Sequence, residues 1–205
     1  MSGKTKGAPR VGKKKRPEGG GETEGRRVNL PLTREIRDGL RAGDCLLLSG
    51  TLITARDQAH RRLVEALEKG EPLPVELRDA SVYYAGPSPA PRGKPAGSVG
   101  PTTASRMDPY TPRLAAEGVA AFIGKGPRSP EVRRALREHG SLYLVGVGGA
   151  AALLGSRVRA IRAVAYQELG PEAIYELEVE DFPVVVGYDL SGGDVFSHLG
   201  SGLKT

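Results

Sequence analysis

Residues 44–70 read DCLLLSGTLITARDQAHRRLVEALEKG. The first part, 44–54, is an apolar run broken only at Ser49–Gly50, the pattern of a strand buried on both faces. The second part, 55–70, is amphipathic. Ala59, Leu63, Ala66 and Leu67 make one stripe at helical spacing, and Gly70 stops it. A buried strand that passes straight into an amphipathic helix marks an α/β chain.

The pattern extends in both directions. Upstream, Thr33 caps a short helix containing Ile36 and Leu40, with Gly43 near its end. Downstream, 80–86 is a short strand and PSPAPRGKPAGSVGP (87–101) is a long Pro/Gly loop. Loops of that length inside a compact domain are usually functional or linkers. A helix and a strand at 119–123 follow. SPEVRRALREHG (129–140) is a helix with Ser129 as N-cap, Pro130 at its first position and Gly140 past its end. SLYLVGVGG is another strand, and AAALLGSRVRAIR reads as a helix of small residues and a turn. In 173–196, Leu177 and Val179 alternate with Glu176, Glu178 and Glu180, and LSGGD makes a hairpin turn. An α/β domain with mixed sheets is predicted.

Charge divides the chain. Of 205 residues, 30 are Lys or Arg and 24 are Asp or Glu, a net charge of +6. Residues 1–27 hold nine of the basic residues and three glutamates, which accounts for the whole excess. This segment is rich in Gly, Lys and Glu and nearly free of large apolar side chains, so it is expected to be a disordered basic tail. It lacks the apolar core of a signal peptide and the acid-poor amphipathic pattern of a transit peptide. KKKR (13–16) suits phosphate backbones, which leaves a non-catalytic polyanion-binding module as a competing function, but a solubilising extension is preferred for so short a run. The domain is assigned to 28–199 and a C-terminal tail to 200–205. No run of about 18 apolar residues is present, so no membrane span is expected. The single cysteine, Cys45, can neither pair within the chain nor hold an iron–sulfur cluster or structural zinc alone. A reducing, cytoplasmic compartment is expected.

Three segments place cations after strands: Arg56 in GTLITARDQAH, Arg106 with Thr102 and Thr103 in GPTTASRMD, and Lys125 in FIGKGPRS. Ligands in open α/β sheets gather where strand ends meet loops. Cations at several strand ends suit a small molecule with more than one carboxylate, because Arg grips carboxylate bidentately and Lys acts as a point charge. If 102–108 opens a helix, Thr102 and Arg106 share a face and the helix N-terminus favours an anion. Each residue also has a plainer role: a threonine cap, an Arg56–Asp57 pair, a solvated Lys125 turn. VGVGGAAALLG (145–155) lacks the G-x-G-x-x-G spacing of a dinucleotide site, and close helix–strand packing is preferred. His60 is expected to be solvated or capping rather than a base. No metal-binding spacing joins His60, His139 and His198. The residues alone support an anion-binding α/β domain with an incomplete site.

VNLPLT, AGDCLLLSGTLITARDQAH, GPTTASRMD, IGKG, YLVGVGGAAALL and LGPEAIYELEVEDFPVVVGYD resemble, in that order, the β subunit, or C-terminal domain, of iron–sulfur class I fumarate hydratases and the related L-tartrate dehydratases. The resemblance covers about residues 28–196. It implies a swivelling β/β/α domain that closes over a 4Fe-4S cluster ligated by cysteines of a partner α subunit, not by this chain. It implies a hydro-lyase acting on fumarate and L-malate, with L-tartrate or a mesaconate-like substrate as alternatives, in a higher oligomer of αβ units. By motif, Arg56, Arg106 and Lys125 fall on positions that bind substrate carboxylates. Thr102 falls on the proposed catalytic base, and Thr103 on a second polar contact.

Overall fold

The structure, a computed structural model, describes residues 25–146 and 151–197. Its elements run β1 (Arg26–Asn29), α1 (Arg34–Gly39), β2 (Cys45–Thr54), α2 (Asp57–Lys69), β3 (Ser81–Tyr83), α3 (Thr111–Ala116), β4 (Ala121–Gly124), α4 (Pro130–His139), β5 (Leu142–Gly146), α5 (Ala151–Ser156), β6 (Val158–Ala165) and β7 (Ile174–Tyr188), with 3-10 turns at Ala104–Met107 and Gln167–Glu172. The tails and the glycines Gly148 and Gly149 lie outside the described residues. No helix among those described is long and apolar enough to cross a membrane.

Local chemistry explains the helices. Thr33 and Ser129 each cap a helix by accepting a hydrogen bond from the backbone N–H three residues on, Ile36 and Val132. Gly70 and Gly140 both take φ of +69°, the left-handed conformation that ends α2 and α4. The predicted stripe on α2 is its buried face, with Ala59, Leu63 and Ala66 inside.

The sheet is mixed, in the order β1-β2-β3-β4-β5-β7-β6, with β2 also pairing β7. β1 through β5 run parallel, and β7 lies antiparallel to β2, β5 and β6. The pairings β2–β3–β4–β5–β7–β2 therefore form a closed circuit, with β1 and β6 as outer strands. Alternation along the parallel strands feeds two cores. Tyr83, Ala121, Ile123, Leu142 and Leu144 point to the core closed by β2 and β7, where Leu48, Leu52, Leu177, Phe182 and Val184 lie. Val82, Tyr84, Phe122 and Tyr143 point the other way, into a core shared with Ala59 and Leu63 of α2, Leu114 and Ala115 of α3, and Val132 and Leu136 of α4. This is why these strands read as continuous apolar runs rather than alternating ones.

Three expectations change. Arg26 and Arg27, placed in the basic tail, form β1 against Leu46 and Leu47. Residues 158–162, the end of the stretch read as helix and turn, lie instead in β6, an outer strand whose exposed side chains are polar or small, so its buried positions are too few to signal a strand. LSGGD turns the chain as expected, with Asp189 accepting from the backbone of Ser191 and Gly193, but only the single bridge Tyr188–Asp194 follows. The break at Ser49–Gly50 is a bulge where β2 slips against β7. Gly50 has φ of +119°, and a Cβ there would sit 3.1 Å from Leu30 Cβ.

Candidate active site

β2, β3 and β4 are parallel, so their C-terminal ends open on one edge. Arg56 follows Ala55 in the two-residue link between β2 and α2 and directly precedes the helix, with extended backbone. Its guanidinium Nη2 lies 3.6 Å from Glu172 Oε1, and its Nε is buried without a partner. Gly86 makes room for it: a Cβ there would be 3.0 Å from Arg56 Nη1 and 2.5 Å from the Pro171 carbonyl. Glu172 also accepts from the backbone N–H of Gln58 at 3.1 Å, in the first turn of α2.

The long loop after β3 returns to the same edge. Thr102 N–H donates to Tyr84 O at 2.6 Å, Lys125 N–H to Thr102 O at 3.3 Å, and Ala104 N–H to Lys125 O at 2.9 Å. Thr103 and Lys125 thus form a parallel bridge that extends the β3–β4 edge by one step. The helix expected from 102–108 is only the four-residue 3-10 turn Ala104–Met107, with Thr103 rather than Thr102 before it and no side-chain cap bond. A turn this short supplies no helix N-terminus for an anion. Thr102 is placed by strand-like backbone bonds, and among the described residues neither threonine hydroxyl has a hydrogen-bond partner.

Arg106 donates from Nε to Asp57 Oδ1 at 2.9 Å. The pair weighed from the sequence, Arg56 with Asp57, is therefore not made: Asp57 serves Arg106, and Glu172 serves Arg56. Lys125 is exposed and has no ion-pair partner among the described residues. Arg56, Thr102, Thr103, Arg106 and Lys125 come from three loops and meet on one rim. Glu172 was missed because it lies 116 positions from Arg56, and nothing local marks it.

His60 departs from expectation. It is fully buried, with its ring edge-on to Tyr84. Its Nδ1 lies 2.9 Å from the Arg56 carbonyl, which can only accept, so Nδ1 carries the hydrogen and Nε2 is a buried lone pair without a partner. Burial pushes its pKa down to about 4, so the ring is neutral at pH 7.

Arg128 is a second residue the sequence does not disclose, since it looks like a solvated turn residue ahead of a cap. It is buried and donates to Asp108 Oδ1 at 2.7 Å, to the Tyr84 hydroxyl at 3.1 Å and to Thr111 Oγ1 at 2.6 Å. Asp108 follows the Arg106 turn and Arg128 follows Lys125, so this ion pair staples together two loops of the rim.

These residues do not fit a resident metal or cluster. Among the described residues no group of three or more His, Cys, Asp or Glu could hold a metal ion, and Cys45 begins β2, at the end opposite Arg56. Nor does the rim coincide with the groove of about 630 Å³ lined by Leu30, Ile53, Arg78 and Arg162, which opens beside Ser81 at the start of β3.

Fold and rim together define an α/β domain with cations and hydroxyls gathered along one edge of its sheet. Residues 4–199 match the Fumarase C-terminus family, and the chain belongs to that family. It is 41% identical over 184 residues to the aerobic class I fumarate hydratase of Escherichia coli K12, covering 86% of this chain and 34% of that protein. It is 35% identical over 174 residues to a putative L(+)-tartrate dehydratase subunit beta of Methanocaldococcus jannaschii, covering 82% of this chain and 89% of that one. With the L(+)-tartrate dehydratase subunit beta of E. coli K12 it shares 33% over 175 residues, 83% and 86% of the two chains. The chain thus spans about a third of the length of the fumarate hydratase.

Proposed function

We propose that this chain is the substrate-closing half of a class I hydro-lyase that reversibly hydrates fumarate to L-malate. The observation that carries it is the convergence of Arg56, Arg106 and Lys125 with Thr102 and Thr103 at the ends of three parallel strands. The family membership and the 41% identity to a fumarate hydratase support the same choice. L-Tartrate is the second reading, favoured by the two dehydratase subunits whose length this chain nearly matches.

In this reading the cations neutralise a dicarboxylate and stabilise the second negative charge that grows on a carboxylate when a proton leaves the neighbouring carbon. Thr102 removes that proton in the malate-to-fumarate direction, and Thr103 holds a carboxylate oxygen. A threonine is a weak base, so the group that relieves it of the proton belongs to the partner. His60 is a poor relay because its Nδ1 hydrogen is committed to the Arg56 carbonyl. A 4Fe-4S cluster would be held by that partner, a cluster-bearing α subunit, and not by this chain. The domain would swivel to close over it, in αβ units that assemble further, in the cytoplasm.

The test is to co-produce the chain with a cluster-bearing α subunit under anaerobic conditions and follow fumarate or L-tartrate by absorbance. Thr102→Ala and Arg106→Ala should each lower kcat by about 100-fold or more, as expected for groups acting in the transition state. Absence of conversion of any small dicarboxylate, or unchanged kcat in both variants, would overturn it.

A further inference from the structure

Arg106 poses a physical problem. It sits on a four-residue turn, its side chain is about half exposed (51%), and it is preceded by a 15-residue Pro/Gly loop. A long flexible cation in that setting loses rotamer freedom when a ligand fixes it, which weakens its grip. The structure shows one thing that fixes it beforehand: the Asp57 carboxylate, 2.9 Å from Nε.

Asp57 is well suited to that task. It is the first residue of α2, where the helix dipole favours a negative charge, and its side chain is only 25% exposed. Its Oδ2 is buried and makes no hydrogen bond, so the carboxylate has no other partner among the described residues. It meets Arg106 through Nε alone, which leaves both terminal nitrogens, the pair that grips a carboxylate bidentately, without a partner among the described residues. Asp57 also follows Arg56 directly, so the loop after β2 carries one cation of the rim and aims another.

We infer that Asp57 is a positioning residue for the substrate clamp: it holds Arg106 by Nε and keeps its terminal nitrogens available for a substrate carboxylate. This rests on the hydro-lyase reading. The rival is that Asp57 is a place-holder which substrate must displace from Arg106, and the two make opposite predictions for affinity.

The experiment uses the αβ complex with fumarate and L-malate, comparing Asp57→Ala, Asp57→Asn, Arg106→Ala and the Asp57→Ala/Arg106→Ala double variant. Asp57→Ala should raise KM by about 10-fold or more, because Arg106 is no longer pre-set. Asp57→Asn keeps an oxygen that accepts from Nε and should recover most of that loss, to within about 3-fold of wild type. The double variant should be no worse than Arg106→Ala alone, since Asp57 acts only through Arg106. That masking separates positioning from a general structural role, which would add to the loss. A fall in KM for Asp57→Ala, additive losses, or kinetics equal to wild type would each overturn the inference. If Asp57→Ala fails to fold, Asp57→Leu, which keeps much of the shape but offers no acceptor to Arg106, takes its place in the same cycle. A wild-type complex that converts no dicarboxylate overturns the hydro-lyase reading, and this inference with it.

Discussion

Replacing Arg128 with methionine should unfold the chain about 10 °C lower. The guanidinium is fully buried, and its partner Asp108 is 16% exposed. Burial opposes the charge, but Tyr84 and Asp108 outweigh it and raise the pKa of Arg128. Methionine keeps much of the volume yet removes three hydrogen bonds, to Asp108, Tyr84 and Thr111. Among the described residues Asp108 then retains only the backbone N–H of Ser129, at 2.8 Å. Removing one member of a buried pair typically costs about 3–5 kcal/mol, because the other charge stays behind. In a domain of this size each kcal/mol moves the midpoint by about 2–4 °C. Asp108→Asn should cost less, about 2 kcal/mol, since Arg128 keeps its hydroxyl partners and Tyr84 and Tyr143 rings, 5.2 and 5.1 Å away. The double variant should fall short of the sum by at least about 1 kcal/mol. Circular-dichroism melts of the four proteins measure all of this. An Arg128→Met midpoint within about 2 °C of wild type, or strictly additive losses, would refute the view that this pair staples the two loops.

Other outcomes follow from single residues. His60 has a folded pKa depressed to about 4 from 6.5, chiefly by burial, so its contribution to stability is fully present above about pH 6.5 and is lost as pH falls toward 4. The loss approaches about 3 kcal/mol, and melts between pH 7 and pH 4.5 should show a steeper decline for wild type than for His60→Gln. Equal slopes would contradict the buried neutral ring. Gly50→Ala should destabilise by about 1–3 kcal/mol, because alanine is strained at φ of +119° and its Cβ would press on Leu30; an unchanged denaturant midpoint would show that the bulge adapts.

Much of this architecture was legible along the chain because its signals are local. The caps Thr33 and Ser129, the glycine stops Gly70 and Gly140, and the stripe on α2 all act within a few residues, and each appears where expected. β6 was not legible: its alternation is weak, and pairing with β7 rather than its own composition makes it a strand. The closed circuit through β2 and β7 depends on partners more than 120 residues apart, for which no periodicity speaks.

The rim divides in the same way. The sequence by itself determined which residues could form it, because strand-end position and residue type name Arg56, Thr102, Thr103, Arg106 and Lys125 without reference to partners. It also determined that Cys45 alone cannot hold a cluster. Only the tertiary structure decided the pairings: Asp57 with Arg106 instead of Arg56, Glu172 with Arg56, and Arg128 buried against Asp108. It also turned His60 from a solvated side chain into a buried neutral ring. The reason is physical. Backbone preference and hydrophobic period are properties of neighbours in sequence, whereas the partner and protonation of a charged or titratable group are set by desolvation and by whichever opposite charge the fold brings within a few ångströms.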